Sequence, residues 1–380
     1  MLCMGLRPWA EYLLVLAVYA IVLSAYSIGY TSTHSLDVSS LIHADGRLCV
    51  GCGGIYLYPG DGGYDGTFFY LMAKNPFSLS QLRDSASERE QAYRYQRILY
   101  PLLAYAASLG RVALIPWALL AINIMALVVA WRIFEIMLME SGRPVRFSLY
   151  IPLIVGVFAG VLLDLVEPLW LALTLAAFYW LRKGGLVRSS IAFAFAMFAK
   201  ETTLFLLLPV VAYYAYERRY GSAVLFSAPL LPFILWESYL YAVFHAVGML
   251  RLDPPCVCNL VVFVLSAVFS PDVYMFPVYL LMLTAVPILW MSAEAFRRKI
   301  TPVTASLLAN SVWIFALMLY RTPWAEIFSA SRSFLPLTVA LLLYFVESGD
   351  RRVHYVVALQ VLITLAMFVL YLVKAAQVLF

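Results

Sequence analysis

The chemistry of this chain gathers around a carboxylate set between glycines and aromatic rings, Gly63-Tyr64-Asp65-Gly66-Thr67-Phe68-Phe69-Tyr70. Gly60, Gly62, Gly63 and Gly66 let the backbone turn tightly and approach a ligand closely. The rings offer flat apolar surface to a sugar or to the membrane interface. A carboxylate held at that boundary is suited to act as general base on an acceptor hydroxyl. A plainer reading fits equally well, in which Asp65 caps the helix that follows, and the residues alone do not choose between the two. Asp61, four residues earlier, is a competing carboxylate. Other ionisable residues sit far along the chain, at Asp164 and Glu167, at Lys200-Glu201-Thr202, and at Arg321, Glu326 and Arg332, while Glu237 falls inside an apolar run within reach of His245.

Those positions matter because of what surrounds them. Of the 380 residues, 64% are hydrophobic and only 12% charged, and the mean hydropathy is +0.88. Soluble domains carry roughly 25% charged residues, so no soluble core hides this much apolar surface, and a bilayer is the expected solvent. An ionisable side chain near hydrocarbon costs about 2.5–3.5 kcal/mol; each one needs either a site or a helix end from which it can snorkel. For Lys200-Glu201 and Arg332 the site reading is preferred, and for Arg111 and Arg251 the helix-end reading. The net charge of +5 is what membrane orientation requires, and nucleic acid is not an expected partner.

The expected fold is an all-α polytopic membrane protein forming a single transmembrane domain over 1–380. About eleven apolar runs, near 8–30, 112–138, 148–164, 168–183, 188–201, 203–216, 222–245, 273–295, 301–320, 326–346 and 353–377, are candidate spans, with 188–216 open to reading as one broken helix. The first is expected to be a retained signal anchor, since it is longer than a signal-peptide core and has no clear cleavage site. If the runs alternate, Arg143 and Arg146, Arg182, Lys183 and Arg188, Arg218 and Arg219, Arg297 to Lys299, and Arg351 and Arg352 all fall on one side. The positive-inside rule makes that side cytoplasmic. A cell-membrane protein with a cytoplasmic N-terminus is expected, with residues 31–111 as an extracytoplasmic loop. Within this loop Ile98 to Gly110 is apolar but only about 20 Å long as a helix, which predicts a short helix lying in the outer interface or dipping into the membrane.

Cys49 and Cys52, and Cys256 and Cys258, lie in outer segments on this topology. In an oxidising compartment the favoured reading is disulfides that tie these loops together; free thiols and a four-thiolate zinc site are the alternatives.

Two stretches resemble a known family: Tyr64-Asp65-Gly66-x-Phe68-Phe69-Tyr70-x-x-Ala73-x-Asn75-Pro76, and Arg94-x-x-Arg97-Ile98-Leu99-Tyr100-Pro101-Leu102-Leu103. They look like the first outer loop of the GT-C glycosyltransferases, mannosyltransferase-like members above all, and Asp164-x-x-Glu167-Pro168 and Lys200-Glu201-Thr202 are similar to features of related membrane proteins. The motifs cover about 60 residues, whereas the plan of anchor, loaded first loop and many spans covers the chain. The chain departs from the family in lacking a paired Asp-Asp or Glu-Asp and a large soluble C-terminal domain.

What the resemblance implies is transfer of a mannose-like hexose from a polyprenyl-phosphate donor to a glycan, lipid or protein acceptor at the outer face, with inversion. Asp65, or Asp61, would be the base. Arg94, Arg97, Lys200 and Arg332 would receive the phosphate, helped by Tyr64, Asp164, Glu167 and Glu201 in substrate binding. A phosphate that leaves as a stable anion needs no divalent metal, and no cofactor is expected. The competing classes are a lipid or solute transporter, for which the related halves of an inverted repeat are missing, and a non-catalytic membrane subunit that binds a partner through residues 31–111.

Overall fold

The computed structural model describes residues 7–31, 36–49, 52–59, 63–248, 275–320, 323 and 326–379. Asp61, Cys256 and Cys258 lie outside the described residues.

The described chain is all-α apart from one two-residue parallel pairing, Ala44–Asp45 against Leu57–Tyr58, in the first loop. All eleven apolar runs are helical over most of their length. Six stretches among the described residues are long and apolar enough to cross a membrane: Ala10–Thr31, Val112–Glu140, Tyr220–Phe244, Phe276–Arg298, Ile327–Ser348 and Arg352–Leu379. A seventh arises if Val145–Leu153 and Val155–Leu162, bent by 50°, count as one broken span. The remaining apolar helices have 16 residues or fewer, including Leu186–Ala199 and Pro302–Leu317. Sixteen residues rise only about 24 Å, short of a hydrocarbon layer of about 30 Å. Apolar composition therefore marks helices here more reliably than it counts crossings.

The elements used below are α1 (Arg7–Thr31), α2 (Asp65–Lys74), α3 (Glu88–Tyr95), α4 (Leu99–Ala107), α5 (Ile115–Glu140), α6 (Tyr150–Leu153), α7 (Val155–Leu162), α8 (Glu167–Arg182), α9 (Leu186–Ala199) and α10 (Leu204–Tyr216). They continue as α11 (Tyr220–Ser227), α12 (Leu230–Phe244), α13 (Phe276–Arg298), α14 (Pro302–Leu317), α15 (Ile327–Ser348) and α16 (Arg352–Leu379).

Side chains of neighbouring helices supply the hydrogen bonds that broken helices lose, as hydrocarbon requires. Between α6 and α7, Ile154 is extended. The carbonyls freed there are taken by Tyr19 Oη of α1 (to Pro152, 2.5 Å) and Thr364 Oγ1 of α16 (to Leu153, 2.9 Å). Pro209 inside α10 has no N–H for the carbonyl of Phe205, four residues back; Asn310 Nδ2 of α14 donates to that oxygen at 2.9 Å, and Ser306 Oγ donates to the carbonyl of Leu206 at 3.1 Å.

α1 and α16 pack side by side and run parallel. Tyr19 meets Phe368, Tyr26 meets Tyr371, and a Cβ at Gly29 would stand 3.2 Å from the backbone nitrogen of Ala375. If both cross the bilayer, a parallel pair at the two ends of the chain requires an odd number of crossings. Six spans do not satisfy that, but seven do, and so would eleven.

In the first loop, the Ile98–Gly110 stretch is the helix α4, packed on α5. Tyr100 Oη donates to the carbonyl of Leu119 at 3.0 Å and receives Asn123 Nδ2 at 2.8 Å. Leu103 and Leu109 remain exposed. Cys49 and Cys52 are joined by a disulfide within the loop.

Candidate functional site

Asp65 is the first residue of α2, and it does not cap the helix. Tyr64 holds the cap position in extended backbone and makes no side-chain cap hydrogen bond. The α2 N-terminus is fixed instead by His43, a left-handed residue (φ 51°) whose carbonyl accepts from Tyr64 N–H at 2.9 Å and Thr67 Oγ1 at 3.2 Å. Gly66 lets it lie against two backbones: a Cβ there would fall 2.5 Å from the carbonyl oxygen of Leu163 and 2.6 Å from that of Ile42. Real Cβ atoms do not approach that closely, so glycine is a requirement of this contact.

So held, Asp65 faces two guanidinium groups. Arg94 Nη1, from α3, donates to its Oδ1, and Arg332 Nη2, from α15, donates to its Oδ2 at 2.9 Å. Burial opposes ionisation of this carboxyl, but the positive charges of Arg94, Arg332 and Arg97 outweigh it and hold the group well below the ordinary carboxylate range. The same burial pushes the Tyr64 phenol upward. Tyr64 lies under Arg332, its ring centroid 5.6 Å from the guanidinium carbon, and its hydroxyl is 3.3 Å from Ser329 Oγ.

Arg332 continues the network inward. Its Nε donates to Glu167 Oε1 at 2.6 Å, and Lys200 Nζ reaches the same oxygen at 2.9 Å. The Glu167 side chain is 0% exposed and that of Lys200 5%, which makes this a buried ion triad. Pro336, four residues after Arg332, removes the N–H that would have paired with the Arg332 carbonyl. Lys200 Nζ takes that carbonyl at 3.2 Å. Lys200 is extended, at a break between α9 and α10 that contains neither Gly nor Pro. The two residues of the break look in different directions. Lys200 goes to Glu167, while Glu201 accepts two hydrogen bonds from Arg97, Nε to Oε2 at 2.8 Å and Nη2 to Oε1 at 2.6 Å. Trp170 Nε1 steadies the turn by donating to Thr203 Oγ1 at 2.8 Å.

These groups border a cavity of about 520 Å³ with a mixed lining. Asp65, Arg94, Arg97, Lys200, Glu201 and Arg332 supply charge, and Leu48, Phe68, Phe205, Trp313, Leu317 and Pro323 supply apolar surface. Phe205 of α10 and Trp313 of α14 stack with centroids 4.0 Å apart, and Leu208 and Val312 on the same two helices are exposed. The bridged network carries four cations against three carboxylates, and Glu90 also lines the cavity. Arg94 Nε and Arg97 Nη1 are buried without a hydrogen-bond partner among the described residues.

Of the residues singled out in the sequence, Tyr64, Asp65, Arg94, Arg97, Glu167, Lys200, Glu201 and Arg332 are thus drawn into one assembly from five separate segments. Asp164 is set apart in the turn between α7 and α8, fully buried with φ 48°, and neither of its carboxylate oxygens has a partner among the described residues. Glu237 Oε1 also has no hydrogen-bond partner among them. Sequence reasoning missed Tyr93, whose hydroxyl accepts from Arg97 Nη2 at 2.6 Å and whose ring centroid lies 4.5 Å from that guanidinium. It also missed the apolar lining residues Phe205 and Trp313, whereas Phe68 of the aromatic run lies with its ring centroid 4.3 Å from the Arg94 guanidinium carbon. The i, i+4 spacing of Tyr93 and Arg97 was the available signal. Groups of three or more His, Cys, Asp or Glu side chains placed to hold a metal do not occur among the described residues.

No protein-family model, curated protein or solved structure matches this chain.

Proposed function

We propose that the protein is a membrane glycosyltransferase that moves a hexose from a polyprenyl-phosphate donor to an acceptor hydroxyl at the outer face, with inversion. The observation that carries this reading is the mixed lining of one cavity: Asp65 and four cations together with the apolar Phe205, Trp313 and Leu317. A ligand with an anionic head, a polar sugar and a hydrocarbon tail matches that combination. The sequence resemblance around Tyr64-Asp65-Gly66 and Arg94-x-x-Arg97 gives the reaction class.

In the reaction the acceptor oxygen attacks the anomeric carbon and forms the new C–O bond. Its proton passes to the Asp65 carboxylate, and the bond from the anomeric carbon to the phosphate oxygen breaks, releasing polyprenyl phosphate as an anion. Arginine suits that anion, because its planar fork donates two parallel hydrogen bonds. Asp65 clamped by two guanidiniums is a weak base. A donor phosphate competes for Arg94 and Arg332, and each guanidinium it draws away returns basicity to Asp65. The ion pairs thus keep the base quiet until the donor is in place.

The decisive experiment measures hexose transfer in proteoliposomes from polyprenyl-phosphate donors. Transfer that is abolished in Asp65→Asn, in protein that inserts and remains folded at the assay temperature, is the expected result. Unimpaired transfer in that variant would remove Asp65 as the base; movement of solute across the vesicle with no new glycosidic bond would replace the enzyme with a transporter.

A further inference from the structure

A second cavity, of about 200 Å³, lies at the other end of the same helices. The last turns of α8, α10 and α15 meet the first turn of α14 there, and the polar lining is Arg182, Arg219, Glu347 and the tyrosines 213 and 214. Along α15, Arg332 and Glu347 are separated by about 22 Å of helical rise, so the two cavities lie toward opposite ends of the bundle. Nothing in the chemistry assigned to Asp65 uses this second one.

Its charges are arranged for a particular kind of guest. Arg182 and Arg219 make no ion pair with a carboxylate among the described residues, and Arg219 is held at the rim with its guanidinium carbon 5.0 Å from the Tyr214 ring centroid. Glu347 accepts one hydrogen bond, from Thr301 Oγ1 to Oε2 at 3.1 Å, and its other charged neighbours are Arg182 and Lys299. Phe178, Leu181, Leu343 and Val346 supply an apolar floor. The volume falls below the roughly 300–1,000 Å³ of pockets that enclose drug-sized ligands and suits a headgroup whose remainder lies outside.

We propose that this cavity binds the phosphoethanolamine headgroup of a membrane lipid from the leaflet opposite the Asp65 site. The phosphate lies between Arg182 and Arg219, the primary ammonium donates to Glu347, and the acyl chains leave over the apolar floor into the hydrocarbon. A purely anionic headgroup would set its charge against Glu347. A choline headgroup has no N–H to donate to it.

The test is native mass spectrometry of the full-length protein titrated with phosphatidylethanolamine, phosphatidylcholine and phosphatidylglycerol, with soluble phosphoethanolamine as competitor. Phosphatidylethanolamine should be retained at least 10-fold better than the other two. Arg182→Ala with Arg219→Ala should lower that retention by 10-fold or more, and Glu347→Gln should erase the preference over phosphatidylcholine while leaving phospholipid binding intact. Equal retention of the three lipids, or a preference for phosphatidylglycerol, overturns the proposal. Complete displacement by soluble phosphoethanolamine would make the free headgroup the ligand and overturn the lipid assignment. All three side chains are exposed or at the rim, so the variants fold, and none touches the Asp65 network. Loss of hexose transfer in Asp65→Asn therefore leaves this result standing, and the reverse also holds.

Discussion

The two ends of the helix bundle treat charge in opposite ways. Around Asp65, Arg94, Arg97, Lys200 and Arg332 are each bridged to a carboxylate, at side-chain exposures of 9% or less. Around Glu347, the cations stay exposed and the ion pairs are surface ones, such as Lys183 with Glu140 and Arg352 with Glu294. Buried charge survives only when paired and hydrogen-bonded, while charge at a wet rim needs no partner. The difference teaches that the Asp65 end is a built structure whose members depend on one another, and the other end is a set of nearly independent charges.

Breaking the built end should show the largest effects. Asp65→Asn should lower hexose transfer by about 10²–10⁴-fold, the usual range for a general base, read as initial rates at matched folded protein. Arg332→Ala leaves buried Glu167 short of a partner and should destabilise the protein by about 3–5 kcal/mol, visible as a fall in melting temperature in detergent. Gly66→Ala forces a methyl against the Leu163 and Ile42 carbonyls and should cost about 1–3 kcal/mol, with transfer falling further than stability because Asp65 is the adjacent residue.

The pH dependence sharpens the same contrast. A carboxyl whose folded pKa is depressed stabilises above its unfolded pKa, and that contribution is lost only as pH falls through the folded value. The stability difference between the parent and Asp65→Asn should therefore stay constant from neutrality down to roughly pH 5, since ordinary Asp titrates near 3.9, and shrink only under more acidic conditions. At the opposite end, Lys183→Ala breaks an exposed pair and should change stability by about 0–1 kcal/mol, with no change in transfer.

The contrast also explains what could be read in advance. Lys200, Glu201, Glu167, Arg94, Arg97 and Arg332 were legible because ionisable groups are rare and costly in so apolar a chain, so each one asked for a reason. Which partner each would find was not legible, because Arg332 and Asp65 stand 267 residues apart and sequence spacing carries nothing about that distance. Asp65 as a helix cap and as a site residue looked alike in sequence; the tertiary position of His43 decided the local geometry by taking over the N-terminus of α2. Asp164 shares its segment with Glu167, yet the left-handed turn buries it away from the ion pairs. Helix positions were legible from apolar runs, but crossings were not, because the bend at Ile154 and the short α9, α10 and α14 depend on which neighbours satisfy their ends. In the first loop, Cys49 and Cys52 pair within their own turn, so that bridge ties no two loops together.

Pro336 carries one more consequence. A lone α15 in lipid would expose the Arg332 carbonyl and a guanidinium together, with no partner for either, and α10 with Pro209 would leave the Phe205 carbonyl open in the same way. Each break is sealed only by a residue from another helix, Lys200 in the first case and Asn310 in the second. The prolines thus tie α15 and α10 to their neighbours: neither helix satisfies its own backbone alone, and the contact that seals α15 is made by Lys200, a member of the ion network around Asp65.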